Sequence, residues 1–280
     1  SLIKGFRPDV VLGAGGYVSG PVVLTASLLN VPTLVMESNA LPGWTNRMLA
    51  RFVDKAAVSF DAALPYFRGK GVVTGNPVRH EFFEIPARKR EASKFSILVF
   101  GGSQGAHAIN QAMIAALPSL GDLRNMLSIT HQTGETDFDA VRAGYVDAGW
   151  TDRANVMKYI DDMVAAFANV DLVICRAGAT TTAELIAAGK ASVMIPFPLA
   201  ADDHQRKNAE ALATTGAAKL ILQKDLSGER IAHEIAALAR EPERITAMEQ
   251  AAGKLAHGDA AAAVVGLVEE LVGGNRGSRQ

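Results

Sequence analysis

A chain of 280 residues, 49% hydrophobic and 20% charged, holds enough apolar material for one large or two ordinary domains. Its formal net charge of -1 excludes the global basic field of a nucleic-acid-binding protein, and its single Cys175, inside the apolar run DLVIC, excludes a disulfide framework or a cysteine metal cluster and reads as a buried hydrophobe. No apolar run approaches the roughly 20 residues of a membrane helix, and SLIKGFRPDVV at the start carries no signal-peptide h-region, so the chain reads as soluble and cytoplasmic with peripheral membrane contact left open.

SLIKGFRPD (1–9) has the look of a helix tail running into a strand. Short β-branched runs follow at DVVLG (9–13), PTLVM (32–36), KAAVSF (55–60) and KGVVTG (70–75). Longer segments of helical period separate them, the pattern of a parallel sheet covered by helices. NPVRHEFFEIPARKREASK (76–94) is charged, contains two prolines and offers no strand, so it reads as an interdomain linker. A second series of strands starts at FSILVFG (95–101) and continues through MLSITHQ (126–132), NVMKYI (155–160), DLVICR (171–176), ASVMIPF (191–197) and AAKLIL (217–222). Helical stretches such as GAHAINQAMIAAL, DDMVAAFAN and TTTAELIAAG lie between them. Three helices, at about 227–240, 242–256 and 259–272, close the chain before GGNRGSRQ, a tail expected to fray. The expected organisation is α/β, in two doubly wound halves. A first domain spans 1–78, a linker 79–94 and a second domain 95–258, with the last helix (259–273) returning to the first. Such folds place ligands beyond the carboxyl ends of the strands, in the cleft between the halves.

Two strand-to-helix junctions are rich in glycine. GAGGYVSGP (13–21) leaves the first strand through Gly15, Gly16, Tyr17 and Ser19, with a proline near the helix start. GGSQGA (101–106) offers Ser103 as a hydroxyl donor and Gly105 where helix and strand come close. A turn of this kind lets the backbone approach an anion and presents free N–H groups at the positive end of the helix dipole. Neither is a Walker loop, since no Gly-Lys-Ser/Thr follows, and neither matches the strict G-x-G-x-x-G pattern, so each alone is equally a plain tight turn. Two of them suggest two separate anionic groups, one a nucleotide diphosphate and the other a different phosphate.

CRAGATTTAELIAAGKASVMIPFPLAADDHQRKNAEAL (175–212) is the most informative stretch. Thr180, Thr181 and Thr182 stand where a helix begins, able to cap it, with exposed N–H groups able to hold an anion. Glu184 lies in the first turns, where a carboxylate matches the dipole and can accept both hydroxyls of a ribose; a dipole-matched surface residue is the plainer reading. The polar loop at the next strand end brings forward His204, Gln205 and Asn208.

Taken together these stretches resemble the MurG family, bacterial glycosyltransferases that convert lipid I to lipid II in peptidoglycan synthesis. GAGGYVSGP, ESNALPGWTNRMLA, GNPVR, GGSQGA, YIDDM, RAGATTTAELIAAGKASVMIPFP and DHQRKNA occur in the family's order, from about Phe6 to the last helix. The resemblance implies the GT-B fold, two Rossmann-like doubly wound domains facing a cleft. It implies inverting transfer of N-acetylglucosamine from UDP-N-acetylglucosamine to the MurNAc 4-hydroxyl of undecaprenyl-pyrophosphoryl-MurNAc-pentapeptide (lipid I). It further implies peripheral contact with the cytoplasmic face of the bacterial plasma membrane through the first half. Roles follow from the same likeness. Asn39 in ESNA would contact the donor sugar, Arg79 closing GNPVR would lie near the nucleotide, and Ser103 would bond the donor phosphate. Ile160 in YIDDM would meet uracil largely through its backbone. Ala179, Thr180, Thr181, Thr182, Ala183 and Glu184 would line the donor, with Glu184 on the ribose, and Gln205 would bind sugar hydroxyls. The turn with Gly15, Gly16, Tyr17 and Ser19 would face the lipid I diphosphate.

One departure stands out. Family members carry an earlier strand and a glycine turn with Gly-Gly-His, which supplies acceptor-phosphate contacts and a histidine proposed for acid/base work. None of the six histidines here (80, 107, 131, 204, 233, 257) stands in such a motif, so the chain is expected to be a fragment without that segment. An inverting transfer needs stabilisation of the departing UDP, charge relief at an oxocarbenium-like sugar, and a base for the attacking hydroxyl. Glu37, two residues before Asn39, is the carboxylate best placed to be that base, or equally one that orients its loop by hydrogen bonds. DFD (137–139) fits the Asp-x-Asp pattern of metal-dependent glycosyltransferases but reads as a dipole-favoured helix start, so no metal and no other cofactor is expected. The alternatives are another GT-B enzyme, such as a UDP-sugar epimerase, and a non-catalytic nucleotide-sugar-binding module.

Overall fold

The computed structural model describes residues 2–91 and 93–277, with side chains as far as residue 274. Two compact units divide the chain. One holds the chain up to Val78, Ala200–Ala211 and the chain from His257 onward; the other holds Arg79–Leu199 and Leu212–Ala256.

The first unit opens with a short helix α1 (Leu2–Phe6) and is built on a parallel sheet whose strands follow chain order: β1 (Val11–Gly13), β2 (Thr33–Glu37), β3 (Lys55–Val58) and β4 (Gly71–Val73). α2 (Ser19–Leu28) links β1 to β2, and α3 (Trp44–Leu49) follows β2. The middle of β2, Leu34–Val35–Met36, is apolar because both faces of the sheet are covered, while Thr33 and the buried Glu37 close its two ends. Val35 packs with Val23, Leu49, Val58 and Phe67 on one face.

The second unit carries a six-stranded parallel sheet. Its elements are β5 (Phe95–Phe100), α4 (His107–Ala116), β6 (Leu127–Gln132), α5 (Phe138–Asp147), β7 (Ala154–Met157), α6 (Met163–Ala168), β8 (Leu172–Cys175), α7 (Ala179–Ala187) and β9 (Ser192–Met194). α8 (His204–Thr214), whose residues as far as Ala211 belong to the first unit, precedes β10 (Ala218–Leu220), α9 (Gly228–Arg240) and α10 (Pro242–Lys254) of the second. The strand order is β10-β9-β8-β5-β6-β7, so the chain winds outward in both directions from the β5–β8 pair. Ile97, Val99, Met113, Leu127, Tyr145, Trp150, Ile174 and Val193 form the core, and α9 adds Ile231, Ile235 and Leu238 from a single helical face.

α11 (Ala260–Gly277) belongs to the first unit, where Val264 and Leu267 pack on Leu34 and Ala57, the face of the sheet opposite Val35. The tail expected to fray from residue 273 is thus helical as far as Gly277, and Ser278–Gln280, like Ser1 and Ala92, lie outside the described residues. The segment 79–94, expected as a linker, is held on the second unit. Phe82 is buried edge-on against Phe167 with ring centroids 5.3 Å apart. The guanidinium Nε atoms of Arg88 and Arg90 stand 3.0 and 3.2 Å from the buried carboxylate of Asp171. Cys175 is fully buried, and burial pushes its thiol pKa far up.

Candidate functional site

The switch point of the second sheet brings two loops side by side, because β5 and β8 pair in parallel from Ile97–Leu172 to Phe100–Cys175. The chain leaves β5 through the glycine turn 101–106 and leaves β8 through Arg176–Gly178. In the first turn Ser103 is exposed, and Gly105 N–H donates to the Gly102 carbonyl at 2.9 Å. Gly105 has φ +77°, and a Cβ there would stand 1.8 Å from the Thr133 carbonyl oxygen, so only glycine lets the two loops touch. α4 begins after Ala106 with no side-chain cap, so its first N–H groups point outward without an internal acceptor. α7 likewise begins after Gly178 with no side-chain cap. Two helix starts with free donors at one switch point present the dipole ends and N–H groups that suit an anion.

The six residues expected from Ala179 to Glu184 divide by helical geometry. Thr182 is fully buried and its hydroxyl donates back to the Gly178 carbonyl at 2.8 Å, and Ala183 is also buried. Ala179, Thr180, Thr181 and Glu184 reach the surface in part. Desolvation raises the Glu184 pKa above the usual carboxylate range, and the charge of Arg79 opposes that shift. Arg79 is exposed, its guanidinium 5.1 Å above the ring of Phe82, which fixes it on the second unit beside Glu184. Beneath this turn lies Arg176, which the sequence motif contained but did not distinguish. Its buried guanidinium donates to the carbonyls of Ile195 and Pro196 at 3.1 and 3.2 Å and to Gln223 Oε1 at 2.7 Å. Burial lowers its pKa.

Ile160 is buried, and its N–H is already donated to Gln132 Oε1 at 3.1 Å. Asp137 accepts from Asn110 Nδ2 at 2.8 Å and lies 3.0 Å from His107 Nδ1, at the start of α5. Among the described residues no cluster of His, Cys, Asp and Glu is arranged to hold a metal ion.

In the first unit the turn after β1 and the loop after β2 enclose a cavity of about 260 Å³, which also meets Asp202 and His204. Gly15 and Gly16 line it with φ of +97° and +78°, and Tyr17 is 79% exposed at its rim. The Ser19 hydroxyl donates to the Gly16 carbonyl at 2.9 Å. Glu37 is buried at the centre of a hub. Oε1 accepts from Asn39 N and Nδ2 at 3.0 and 3.1 Å, and Oε2 accepts from Gly43 N and Asn46 Nδ2 at 2.9 and 2.8 Å. Asn39 Oδ1 in turn accepts from Asn208 Nδ2 at 3.1 Å, while Asn208 Oδ1 takes the Ala40 N–H at 2.9 Å. Gln205 is half-buried in the first turn of α8. Asn46 escaped sequence reasoning, since nothing in WTNRMLA marks one amide as the partner of a carboxylate nine residues earlier.

Glycine turns and helix starts without side-chain caps at the carboxyl ends of two successive parallel sheets fit the GT-B class of nucleotide-sugar proteins. Residues 96–264 match the glycosyltransferase family 28 C-terminal domain and residues 1–58 its N-terminal domain. A Myxococcus xanthus protein named UDP-N-acetylglucosamine--N-acetylmuramyl-(pentapeptide) pyrophosphoryl-undecaprenol N-acetylglucosamine transferase is 48% identical over 268 residues, 95% of this chain and 70% of that protein. The crystal structure of Acinetobacter baumannii MurG superposes with TM-score 0.84 at 37% identity, covering 96% of this chain and 76% of that one. The UDP-GlcNAc 2-epimerase of Neisseria meningitidis, at 15% identity and TM-score 0.67 over 96% of this chain and 78% of its own, shares the fold alone. The chain belongs to glycosyltransferase family 28 and, within it, to the MurG family.

Proposed function

We propose that the protein is an inverting hexosyltransferase that moves N-acetylglucosamine from UDP-N-acetylglucosamine to the MurNAc 4-hydroxyl of lipid I, making lipid II. The observation that carries this is the 48% identity, across 95% of the chain, to a transferase so named. In the reaction the 4-hydroxyl oxygen bonds to C1 of the sugar as the bond from C1 to the β-phosphate oxygen breaks. UDP departs with that electron pair, and the hydroxyl proton passes to a base.

The second unit supplies the donor's partners. Ser103, the first N–H groups of α4 and those at Thr180 and Thr181 receive the diphosphate and the charge that grows on it. One preorganised donor of this kind is worth about 3 kcal/mol in a transition state. Glu184 takes the ribose hydroxyls, with Arg79 beside it and Ala179 along the wall. With the Ile160 N–H already engaged, base recognition there falls to its carbonyl. Thr182 and Ala183 serve by packing α7 against the core, not by touching the donor. On the first unit, Asn39 and Gln205 offer amides to sugar hydroxyls, and the turn from Gly15 through Ser19 offers donors to the acceptor diphosphate.

Glu37 was the carboxylate expected as base. Its four hydrogen bonds from N–H donors favour the other role weighed for it, orienting its own loop by holding Asn39 and the 43–46 turn in place. Among the described residues no helix is long and apolar enough to cross a membrane. Contact with a lipid-linked acceptor is peripheral in this reading, at the cytoplasmic face of the plasma membrane. The exposure of Val18 at 85% and Tyr17 at 79%, beside the acceptor turn, supports it. Calorimetric titration with UDP-N-acetylglucosamine tests the donor assignment. One-site binding displaced by UDP is the expected result, and the absence of binding would overturn it.

A further inference from the structure

Gln132 closes β6, the strand lying between β5 and β7, and its side chain is 3% exposed. The two ends of its amide serve opposite neighbours. Nε2 donates to the Gly102 carbonyl in the turn that follows β5, at 2.8 Å, and Oε1 accepts from the Ile160 N–H in the segment that follows β7, at 3.1 Å. The same Gly102 carbonyl accepts the Gly105 N–H at 2.9 Å, the bond that closes the glycine turn. The backbone beside it reinforces one side of this link, since Thr133 N–H donates to the Met157 carbonyl at 2.9 Å and Gly134 N–H to the Lys158 carbonyl at 3.2 Å. A primary amide carries a donor and an acceptor on one rigid plane. An ionised glutamate offers acceptors alone, and methionine keeps the length with neither.

We propose that Gln132 is a positioning residue that couples the base-binding segment to the diphosphate-binding turn. It rests on the donor-site reading above, in which Ser103 meets the phosphates and Ile160 the base. A UDP-sugar is one covalently connected ligand of limited reach, and both its ends are satisfied together only when the separation of their two subsites stays within that reach. Bracing that separation before binding spares the ligand the cost of ordering it. The buried amide does this without touching the ligand.

The test is calorimetric titration of UDP, uridine and pyrophosphate into the wild type, Gln132→Glu and Gln132→Met. Glutamate keeps the acceptor for Ile160 and removes the donor to Gly102; methionine removes both. In each variant the ratio of UDP affinity to uridine affinity falls about ten-fold, the size of a typical coupling between two sites. Partial unfolding does not imitate this, because it lowers the apparent affinity for both ligands in the same proportion. Ser103→Ala in the Gln132→Glu background then costs UDP affinity less than in the wild type, since the turn is already released. An unchanged UDP-to-uridine ratio in both variants overturns the proposal. Failure of the wild type itself to bind UDP overturns the donor-site reading beneath it, and that result is visible before any substitution is made.

Discussion

Replacing Gly105 with alanine measures how much the donor turn depends on contact between two loops. Gly105 has φ +77°, and a Cβ there would lie 1.8 Å from the Thr133 carbonyl oxygen and 2.5 Å from its carbon. Gly102, three residues earlier, has φ +92° but nothing within 4 Å of a built Cβ. Both alanine variants incur the left-handed backbone strain of an L-residue, about 1–2 kcal/mol. Gly105→Ala must also push apart the backbones of two loops, and overpacking of that kind adds about 1–3 kcal/mol. The expected losses are therefore about 2–5 kcal/mol for Gly105→Ala against about 1–2 kcal/mol for Gly102→Ala. Urea denaturation followed by circular dichroism reads both, compared at equal m-value. UDP titration of the folded Gly105→Ala protein should show weakened binding as well, because the turn carrying Ser103 has moved. Equal destabilisation by the two substitutions would refute the argument that a 1.8 Å approach requires glycine.

Ser103→Ala should weaken UDP binding about ten-fold, as expected for loss of a hydrogen bond to a charged group, while sparing uridine; equal losses for the two ligands in titration would count against a phosphate contact. Burial raises the folded-state pKa of Glu184, so the folded protein holds that proton more tightly than the unfolded chain. Its ionised form therefore opposes folding above the carboxylate range, and the penalty lifts as pH falls through the raised pKa. Glu184→Gln should accordingly raise the melting temperature of the ligand-free protein at pH 7 while weakening UDP-N-acetylglucosamine binding; a lower melting temperature would contradict the sign. His131 is fully buried, with Nδ1 3.1 Å from the Tyr145 hydroxyl and Nε2 3.0 Å from Asn110 Oδ1, and burial pushes its pKa down to about 3. The unfolded state, titrating near 6.5, binds the proton first, so stability present above that pH is lost as pH falls toward 3, by about 2 kcal/mol at pH 5. His131→Gln should remove that loss, and denaturation curves at pH 7 and pH 5 that fall equally in both proteins would exclude it.

Several strands were legible because a parallel strand covered on two faces carries a near-continuous apolar run, as FSILVF does at every position but Ser96. The glycine turns were legible for a related reason, since Gly105 marks a place where backbone meets backbone. Where long-range partners decide, the sequence was silent. Residues 79–94 read as a solvated linker because their charges look like surface charges, yet Arg88 and Arg90 neutralise Asp171, which is 2% exposed and distant in sequence. The run NVMKYI suggested a strand to residue 160, but β7 ends at Met157, and Ile160 gives its N–H to the Gln132 side chain and not to the sheet. Glu37 stood out as a carboxylate, while the four donors around it come from a loop whose closure no local pattern encodes. Helical period alone could have separated Thr182 and Ala183 from their exposed neighbours, because they share the inner face of α7 with Leu185. Gln132 left a fainter signal, since His131 and Gln132 break the apolar alternation of Leu127 and Ile129 at the end of their strand.

The most direct test of the account is transfer itself. The protein, shown to bind UDP-N-acetylglucosamine, would be incubated with that donor and lipid I, and the products separated and examined by NMR. The account predicts one UDP released for each β-linked GlcNAc–MurNAc disaccharide formed on the lipid. Epimerised or hydrolysed UDP-sugar without disaccharide, or bound donor with no transfer, would contradict it.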